Sequence, residues 1–447
     1  MLIRLAIENF MSFKDQQVFS LVAGKHTKHS NHVLKLNGKR VLKGSFFFGA
    51  NAAGKSNLYE AINFARYTVL NGVKQKQLVN KHFRINSDYI NKPGVFQFDI
   101  YSNEHFYSYG FAVSYVKAVI LEEWLYLCDS DDIKVFERVN EDGVTKVSSD
   151  YDFNGNKQSQ VFSVFADNVP DNKTLLSEIS ERKLSEIDSF SAFKNVKQWF
   201  ENIVLISPKS RYGDKLRLFG EDRDYDFANI LNEFDTGIES ISLGKDSVEN
   251  VLDFLPPNIK ADIMDEVESS FNKEDDSVTE VNINIGGRSL KFVKDDGGIV
   301  ASRLMMNHGN EYDQFSLADE SDGTQRLFDL IPVFRIAKKP SVIFIDELDR
   351  SFHTILVTSY IKRFYEISKG IPSQLIATVH DTNIMDLDLL RQDEIWFVER
   401  QEDHSSRIYS LNVFKARFDK KIVRDYLIGR YGAIPCITQM DKSSSEE

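Results

Sequence analysis

Ile3, Leu5 and Ile7 alternate with polar neighbours over residues 1–10, the pattern of a half-buried strand that Asn9-Phe10 and Ser12-Phe13 then interrupt. Residues 25–43 are rich in Lys, Arg and His, have few apolar anchors, and read as a loop. Phe46-Phe47-Phe48 predicts a short apolar strand, and the spacing after Gly54 predicts a helix from about Lys55 to Leu70. Four runs follow, Val95–Tyr101, His105–Ser114, Val119–Leu127 and Lys134–Val139, with turn signals between them such as Asp129-Ser130-Asp131-Asp132. They predict an antiparallel meander forming a second sheet beside the core. Beyond a polar stretch at Asn168–Asn172, the apolar positions Leu176, Ile179, Leu184, Ile187, Val196 and Trp199 predict helices with a break near Ser189–Ser191. A helical lobe is expected over about 170–275, with strands returning at Val281–Ile285 and Ser289–Val293. The apolar stripe is too short and uneven for coiled-coil arms. Val342-Ile343-Phe344-Ile345 and Gln374–Val379 read as strands buried on both faces of a parallel sheet.

Chemistry concentrates where these strands end. Gly49-Ala50-Asn51-Ala52-Ala53-Gly54-Lys55-Ser56 fits G-x-x-x-x-G-K-[ST] at every fixed position, in the strand–loop–helix context that the pattern needs. Loop N–H groups and the helix N-terminus make an anion cradle; Lys55 reaches the β- and γ-phosphates and Ser56 ligates Mg²⁺. Gly49, Asn51, Gly54, Lys55, Ser56 and Asn57 are the expected contacts, and a nucleoside triphosphate is the expected ligand. The second strand ends in Asp346-Glu347. Asp346 would hold the Mg²⁺ shell and Glu347 would orient or deprotonate the attacking water. Two buried acids are costly without a cation, so loop and acids explain each other. Upstream, Glu320-Ser321-Asp322-Gly323-Thr324-Gln325 is a glycine-containing turn leading into an amphipathic helix; downstream, Thr378-Val379-His380-Asp381 ends a strand in a lone histidine.

Charge and composition narrow the class. The net charge of -12 over 447 residues argues against a broad nucleic-acid groove and leaves room only for a local basic patch. One such stretch is Lys415, Arg417, Lys420, Lys421, Arg424 and Arg430, read as a solvated helix face or, more sharply, a partner or nucleic-acid surface. No apolar run is long enough to span a membrane, and Met1-Leu2-Ile3-Arg4-Leu5 lacks a secretory apolar segment. A cytoplasmic protein is expected, and Cys128 and Cys436 fit neither a metal spacing nor a disulfide framework. Three further motifs read as surface features. His26, His29 and His32 recur every third residue without a nearby carboxylate or thiol, so a solvated basic loop is expected rather than a metal site. Asn272-Lys273-Glu274-Asp275 imitates a guanine-reading tetrad, but Asp295-Asp296-Gly297-Gly298 lies on the wrong side of it for a GTPase. Asp386-Leu387-Asp388 reads as a capped helix start.

The order of P-loop, signature-like turn, acidic strand and histidine resembles the ATP-binding-cassette ATPases, particularly their SMC/RecF-like branch, and within it bacterial AAA15-type ATPases of the RloA and AbiL kind. The resemblance also rests on Leu5-Ala6-Ile7-Glu8-Asn9-Phe10-Met11-Ser12-Phe13, on Leu348-Asp349-Arg350-Ser351-Phe352-His353 and on Tyr426-Leu427-Ile428-Gly429-Arg430-Tyr431-Gly432-Ala433-Ile434-Pro435. The middle, about 115–310, is only loosely similar.

The resemblance implies an α/β ABC-type head with an antiparallel β lobe and a helical insertion. It divides into 1–115 (P-loop and meander), 116–310 (insertion) and 311–447 (signature, acidic strand and histidine). It implies ATP and Mg²⁺ as cofactors and a homo-oligomer, at least a dimer sandwiching two nucleotides. Ser321 and Gly323 would serve the partner's nucleotide, Asp349 would couple the sites and His380 would sense the γ-phosphate. The turn departs from the usual serine–glycine–glycine–glutamine at Asp322 and Thr324, and an added acid near phosphate would slow turnover. Gln97 is a candidate for the glutamine-bearing loop. The implied function is an anti-phage, abortive-infection ATPase that responds to a phage trigger and gates a separately encoded effector, such as a Toprim-like nuclease. Only 100 residues follow Glu347, too few for a nuclease domain after the closing motifs. Competing readings are a RecF-like DNA-repair ATPase and a non-catalytic scaffold glued by ATP.

Overall fold

The computed structural model describes residues 1–141, 143–181, 188–208, 227–253, 255–271, 280–285, 288–295, 298–310, 312, 314–317, 319–414 and 422–434. The chain forms two compact units, one from Met1–Ser207, Ala337–Asp349 and Tyr360–Glu447, the other from Pro208–Ile336 and Arg350–Ser359.

The first unit holds two sheets. One has the strand order Ile203–Ile206, Ser341–Ile345, Ser373–Thr378, Gly44–Phe48, Ile395–Arg400 and Ser406–Ser410, parallel except for the last pair. Gly44–Phe48, Ser341–Ile345 and Ser373–Thr378 are buried at every position, as both-face burial requires. Register places Thr378 beside Phe47 and Ala377 beside Ile345, so the three strands end together at one edge. The strand Ser373–Thr378 separates the P-loop strand from the acidic one.

The other sheet is antiparallel and seven-stranded, in the order Val144–Ser148, Asp132–Glu141, Ile120–Cys128, His105–Val113, Gly94–Ser102, Leu2–Glu8 and Gln17–Ser20. The meander forms the second sheet expected beside the core, and the N-terminal strand joins it. That strand buries Leu2 and Ala6 of its second face as well as Ile3, Leu5 and Ile7, and only Arg4 and Glu8 remain half-buried.

Between the sheets lies the helix Lys55–Asn71. Its Leu58, Ile62, Ala65 and Val69, at helical spacing, share one core with Phe47 and Phe344 of the parallel sheet and Phe96 and Phe98 of the antiparallel one. Gln374 joins the sheets directly: its Oε1 accepts the Leu2 amide at 2.6 Å, and its Nε2 donates to the Leu2 and Leu42 carbonyls at 2.8 and 2.9 Å.

The second unit has the strand order Ser240–Asp246, Gly298–Asn307, Arg288–Asp295 and Glu280–Ile285, with Gln314–Ser316 beside Gly298–Asn307. Val248, Val251, Ile263 and Val267 from helices Val248–Val251 and Pro257–Phe271 pack on Leu290, Phe292 and Ala301 of this sheet.

Several expectations change. Residues 25–43 are not simply a loop: Val33–Leu36 and Lys39–Leu42 form a hairpin, whose Asn37-Gly38 turn takes positive φ at both residues. The helical lobe over 170–275 also holds strands Ile203–Ile206, an apolar run too short for periodicity to separate from helix, and Ser240–Asp246, whose polar sequence carries only Ile241 and Leu243 as large apolar residues. Asp386 closes a turn, accepting the Asp388 amide at 2.9 Å, and starts no helix. Helices Leu175–Ser180 and Ser191–Glu201 and the strands near 281 and 289 lie as expected. The longest helix among the described residues is Lys55–Asn71, and none is long and apolar enough to cross a membrane. The 272–275 tetrad, Leu184, Ile187, Asp296, Gly297, Lys415, Arg417, Lys420, Lys421, Pro435 and Cys436 lie outside the described residues.

Candidate active site

The P-loop leaves its strand at Gly49 and enters its helix at Gly54, both with positive φ, 155° and 107°. Close approach fixes both as glycine. A Cβ at Gly49 would run into the Val398 carbonyl oxygen, and one at Gly54 would meet the hydroxyls of Ser12 and Ser406. Those hydroxyls form a small network behind the loop. Ser406 Oγ donates to the Ala53 carbonyl at 2.6 Å and lies 2.7 Å from Ser12 Oγ, which also accepts Asn57 Nδ2 at 2.6 Å. Asn57 thus braces the loop through Ser12, while Asn51 is exposed on it. Lys55 turns back into the loop and donates to the carbonyls of Gly49 and Ala50 at 2.7 and 3.1 Å. Burial pulls its pKa down, and Asp349, Asp346 and Glu347 oppose that shift.

Facing the loop are the acids at the end of Ser341–Ile345. Asp346 is buried; its Oδ1 accepts the Thr378 hydroxyl at 2.7 Å and the Ser56 hydroxyl at 3.3 Å. Burial raises its pKa, only partly offset by those two hydrogen bonds. Glu347 adopts φ 52°, a left-handed conformation unusual for a residue with a side chain, and its amide donates to Thr378 Oγ1 at 2.8 Å. Its carboxylate lies 3.7 Å from His380 Nε2. Asp349 Oδ2 accepts the amides of His380 and Asp381 at 2.8 and 2.6 Å, while its Oδ1 is buried without a hydrogen-bond partner. Lys55, Ser56, Asp346, Glu347, Asp349 and His380 therefore converge from three strand ends.

The donor set suits Mg²⁺. A hydroxyl and a buried carboxylate are hard oxygen ligands on the helix start and the facing strand, and Mg²⁺ is commonly held by one or two carboxylates together with substrate phosphates. Among the described residues no group of three or more His, Cys, Asp or Glu is placed to hold a metal. The early histidines are engaged with partners rather than solvated together, and the rings of His29 and His32 stack on each other. His32 is buried, its Nδ1 is 3.0 Å from the Glu394 carboxylate and its ring stacks on Tyr365; His26 pairs with Asn412, and His29 with the Leu387 carbonyl.

In the second unit, Ser321 caps the helix Asp322–Leu330. Its hydroxyl accepts the Thr324 amide at 3.1 Å and lies 2.9 Å from the Thr324 hydroxyl, so the residue standing in the glutamine position of the turn serves the cap. Ser321 and Asp322 are exposed, and a Cβ at Gly323 would come within 3.0 Å of the Ser351 carbonyl oxygen. Gln97 lies mid-strand in the antiparallel sheet, donating to Asp99 and Ser108 at 3.1 Å each.

Sequence reasoning missed two contributors. Thr378 gave no signal as an ordinary strand residue. Ala433, inside the closing motif, acts only through backbone atoms: its carbonyl accepts the P-loop amide of Ala50 at 3.0 Å.

Residues 45–386 match a family described as "AAA domain, putative AbiEii toxin, Type IV TA system". No curated protein matches the chain. Among solved structures, the SMC head domain from Thermotoga maritima is similar at 14% identity and a TM-score of 0.38, over 92% of this chain and 98% of that one. An SmcHead bound to the C-winged helix domain of ScpA is similar at 18% identity and a TM-score of 0.36, over 93% and 99%.

Proposed function

The chain belongs to this AAA-domain family of putative AbiEii toxins, and on that premise we propose that it is a Mg²⁺-dependent ATPase that switches a separately encoded effector in anti-phage defence. The observation that carries the reading is the meeting of Ser56 and Thr378 on the buried Asp346 carboxylate, opposite Lys55 and beside Glu347. Loop amides and Lys55 bind the triphosphate, and Ser56 and Asp346 hold the cation. Mg²⁺, when bound, neutralises charge on the β- and γ-phosphate oxygens. Glu347 takes the proton of the attacking water, and the hydrogen bond from its amide to the Thr378 hydroxyl keeps that carboxylate aimed. His380, 3.7 Å from Glu347, senses the γ-phosphate, and Asp349 holds the His380 backbone in place.

Ser321 and Gly323, exposed and half-buried in the second unit, serve the nucleotide of a second copy, which makes an ATP-sandwiched dimer the working form. The toxin–antitoxin wording of the family supports a protein partner, and a Toprim-like nuclease is the effector class proposed.

The test is mass and turnover with a genomic neighbour co-expressed, for wild type and Glu347→Gln, with and without Mg²⁺-ATP. ATP-dependent assembly that carries the neighbour supports the switch. Turnover near zero in both proteins would leave a scaffold. DNA, rather than the neighbour, retained independently of ATP would replace defence with repair.

A further inference from the structure

We infer that the turn Gly429–Ala433 is a positioning element for the P-loop, setting nucleotide affinity through a single peptide plane. The inference rests on the nucleotide reading of that loop. The peptide between Gly49 and Ala50 is held at both ends: its N–H donates to the Ala433 carbonyl at 3.0 Å, and its C=O accepts Lys55 Nζ at 2.7 Å. In a planar trans peptide these groups point in opposite directions, so fixing the N–H fixes where the carbonyl points. The orientation of Ala433 thereby shapes where the Lys55 ammonium rests, beside its second bond to the Ala50 carbonyl at 3.1 Å.

The turn itself is over-determined. Tyr426 OH donates to the same Ala433 carbonyl at 2.8 Å, and the Ala433 amide donates to Glu399 Oε1 at 2.8 Å. Ala433 sits at φ 56°, a conformation an alanine keeps only when its surroundings impose it. Tyr409 OH holds the Tyr431 carbonyl at 2.7 Å, and Phe397 stacks on Tyr426 and Tyr431 with interplanar angles of 10° and 20°. Phe397 and Glu399 belong to the strand paired in parallel with the P-loop strand, and Val398 between them backs Gly49. Strand and turn therefore clamp the loop entrance from two sides. None of Glu399, Tyr426 or Ala433 lies among the converging acids, so their effect reaches the chemistry only through the loop.

The experiment compares wild type with Glu399→Ala, Glu399→Gln and Tyr426→Phe in the full chain. It measures Mg²⁺-ATP affinity by calorimetry, steady-state KM and kcat, and melting temperature without nucleotide. Glu399→Ala and Tyr426→Phe are expected to weaken ATP binding and raise KM by about three- to tenfold, the span of one lost hydrogen bond, with kcat within about twofold. Glu399→Gln keeps an acceptor for the Ala433 amide and should restore wild-type affinity. Tyr426→Phe removes one oxygen and keeps the ring stack, so it stays folded even where Glu399→Ala does not. Unchanged affinity in folded Tyr426→Phe, or losses confined to kcat, overturns the inference. Wild type without affinity for ATP overturns the nucleotide reading itself, and this inference with it.

Discussion

Thr378 donates its hydroxyl to Asp346 at 2.7 Å, and the same oxygen accepts the Glu347 amide at 2.8 Å. One side chain on the histidine strand therefore fixes both acids of the neighbouring strand. Replacement by valine keeps the shape and removes the bridge. Thr378→Val should lower ATP turnover by roughly tenfold or more, since small misplacements of reacting groups are expensive. It should also cost about 1–3 kcal/mol of stability by leaving the partly buried Glu347 amide without its acceptor. Thr378→Ser should recover most of both. Turnover and urea unfolding decide it; a fully active valine variant would mean that the acids are held by something else.

Glu347 carries two burdens, a chemical role and a left-handed backbone at φ 52°. Glu347→Gln is expected to bind ATP normally while turnover falls by about 10²–10⁴-fold, the range of a general base. Glu347→Gly should be equally inactive yet more stable by up to about 1 kcal/mol, because glycine takes that conformation without a Cβ penalty. A glycine variant less stable than the glutamine variant would show that the strain is not real.

Much of this site was legible because its parts announce themselves by spacing. The P-loop, Asp346-Glu347 and His380 each follow an apolar run, and parallel strands of similar length deliver their ends to one edge. What stayed hidden depends on contacts between distant segments. Asn9 looked like a strand breaker; in the fold its amide donates to the Tyr89, Lys92 and Pro93 carbonyls and its Oδ1 accepts the Phe83 amide. No local pattern encodes such a clamp. The hairpin over residues 33–42 was hidden for another reason: each strand is only four residues long, and Lys35, Lys39 and Arg40 made the stretch read as a basic loop. Ala433 contributes only its backbone, which any residue type supplies.

Lys43 gives a stability prediction with a definite sign. It is fully buried, its ammonium donates to the Ser368 carbonyl, and burial lowers its pKa from 10.5 to about 8, with Glu394 opposing. The unfolded chain therefore binds the proton more tightly than the folded one. Stability from this group is lost as pH falls through about 8 and is recovered as pH rises toward the unfolded value of 10.5. Lys43→Met lacks this dependence, and the Ser368 carbonyl keeps the Ile371 amide as partner. The variant should be more stable than wild type near neutral pH, and the gap should narrow between about pH 8 and 10. Urea midpoints across that range test it; parallel curves would rule out burial as the cause.

The proposed sandwich dimer predicts complementation between two dead chains. Lys55→Ala removes the P-loop cation but leaves Ser321; Ser321→Arg blocks the exposed turn but leaves Lys55 in its loop. If each nucleotide lies between the P-loop of one copy and the turn of the other, neither variant alone hydrolyses ATP. A two-fold symmetric mixed dimer, however, contains one site with both parts intact and one with neither. Equal mixing makes half of the dimers mixed, each with half its sites competent. Activity should therefore return to about a quarter of wild type where the sites fire independently, and to less where firing requires both. Titrating one variant into the other while following phosphate release should give a maximum near equal amounts. A flat, inactive profile with mixed dimers present by native mass would rule out shared sites. Activity in Ser321→Arg alone would show that each chain completes its own.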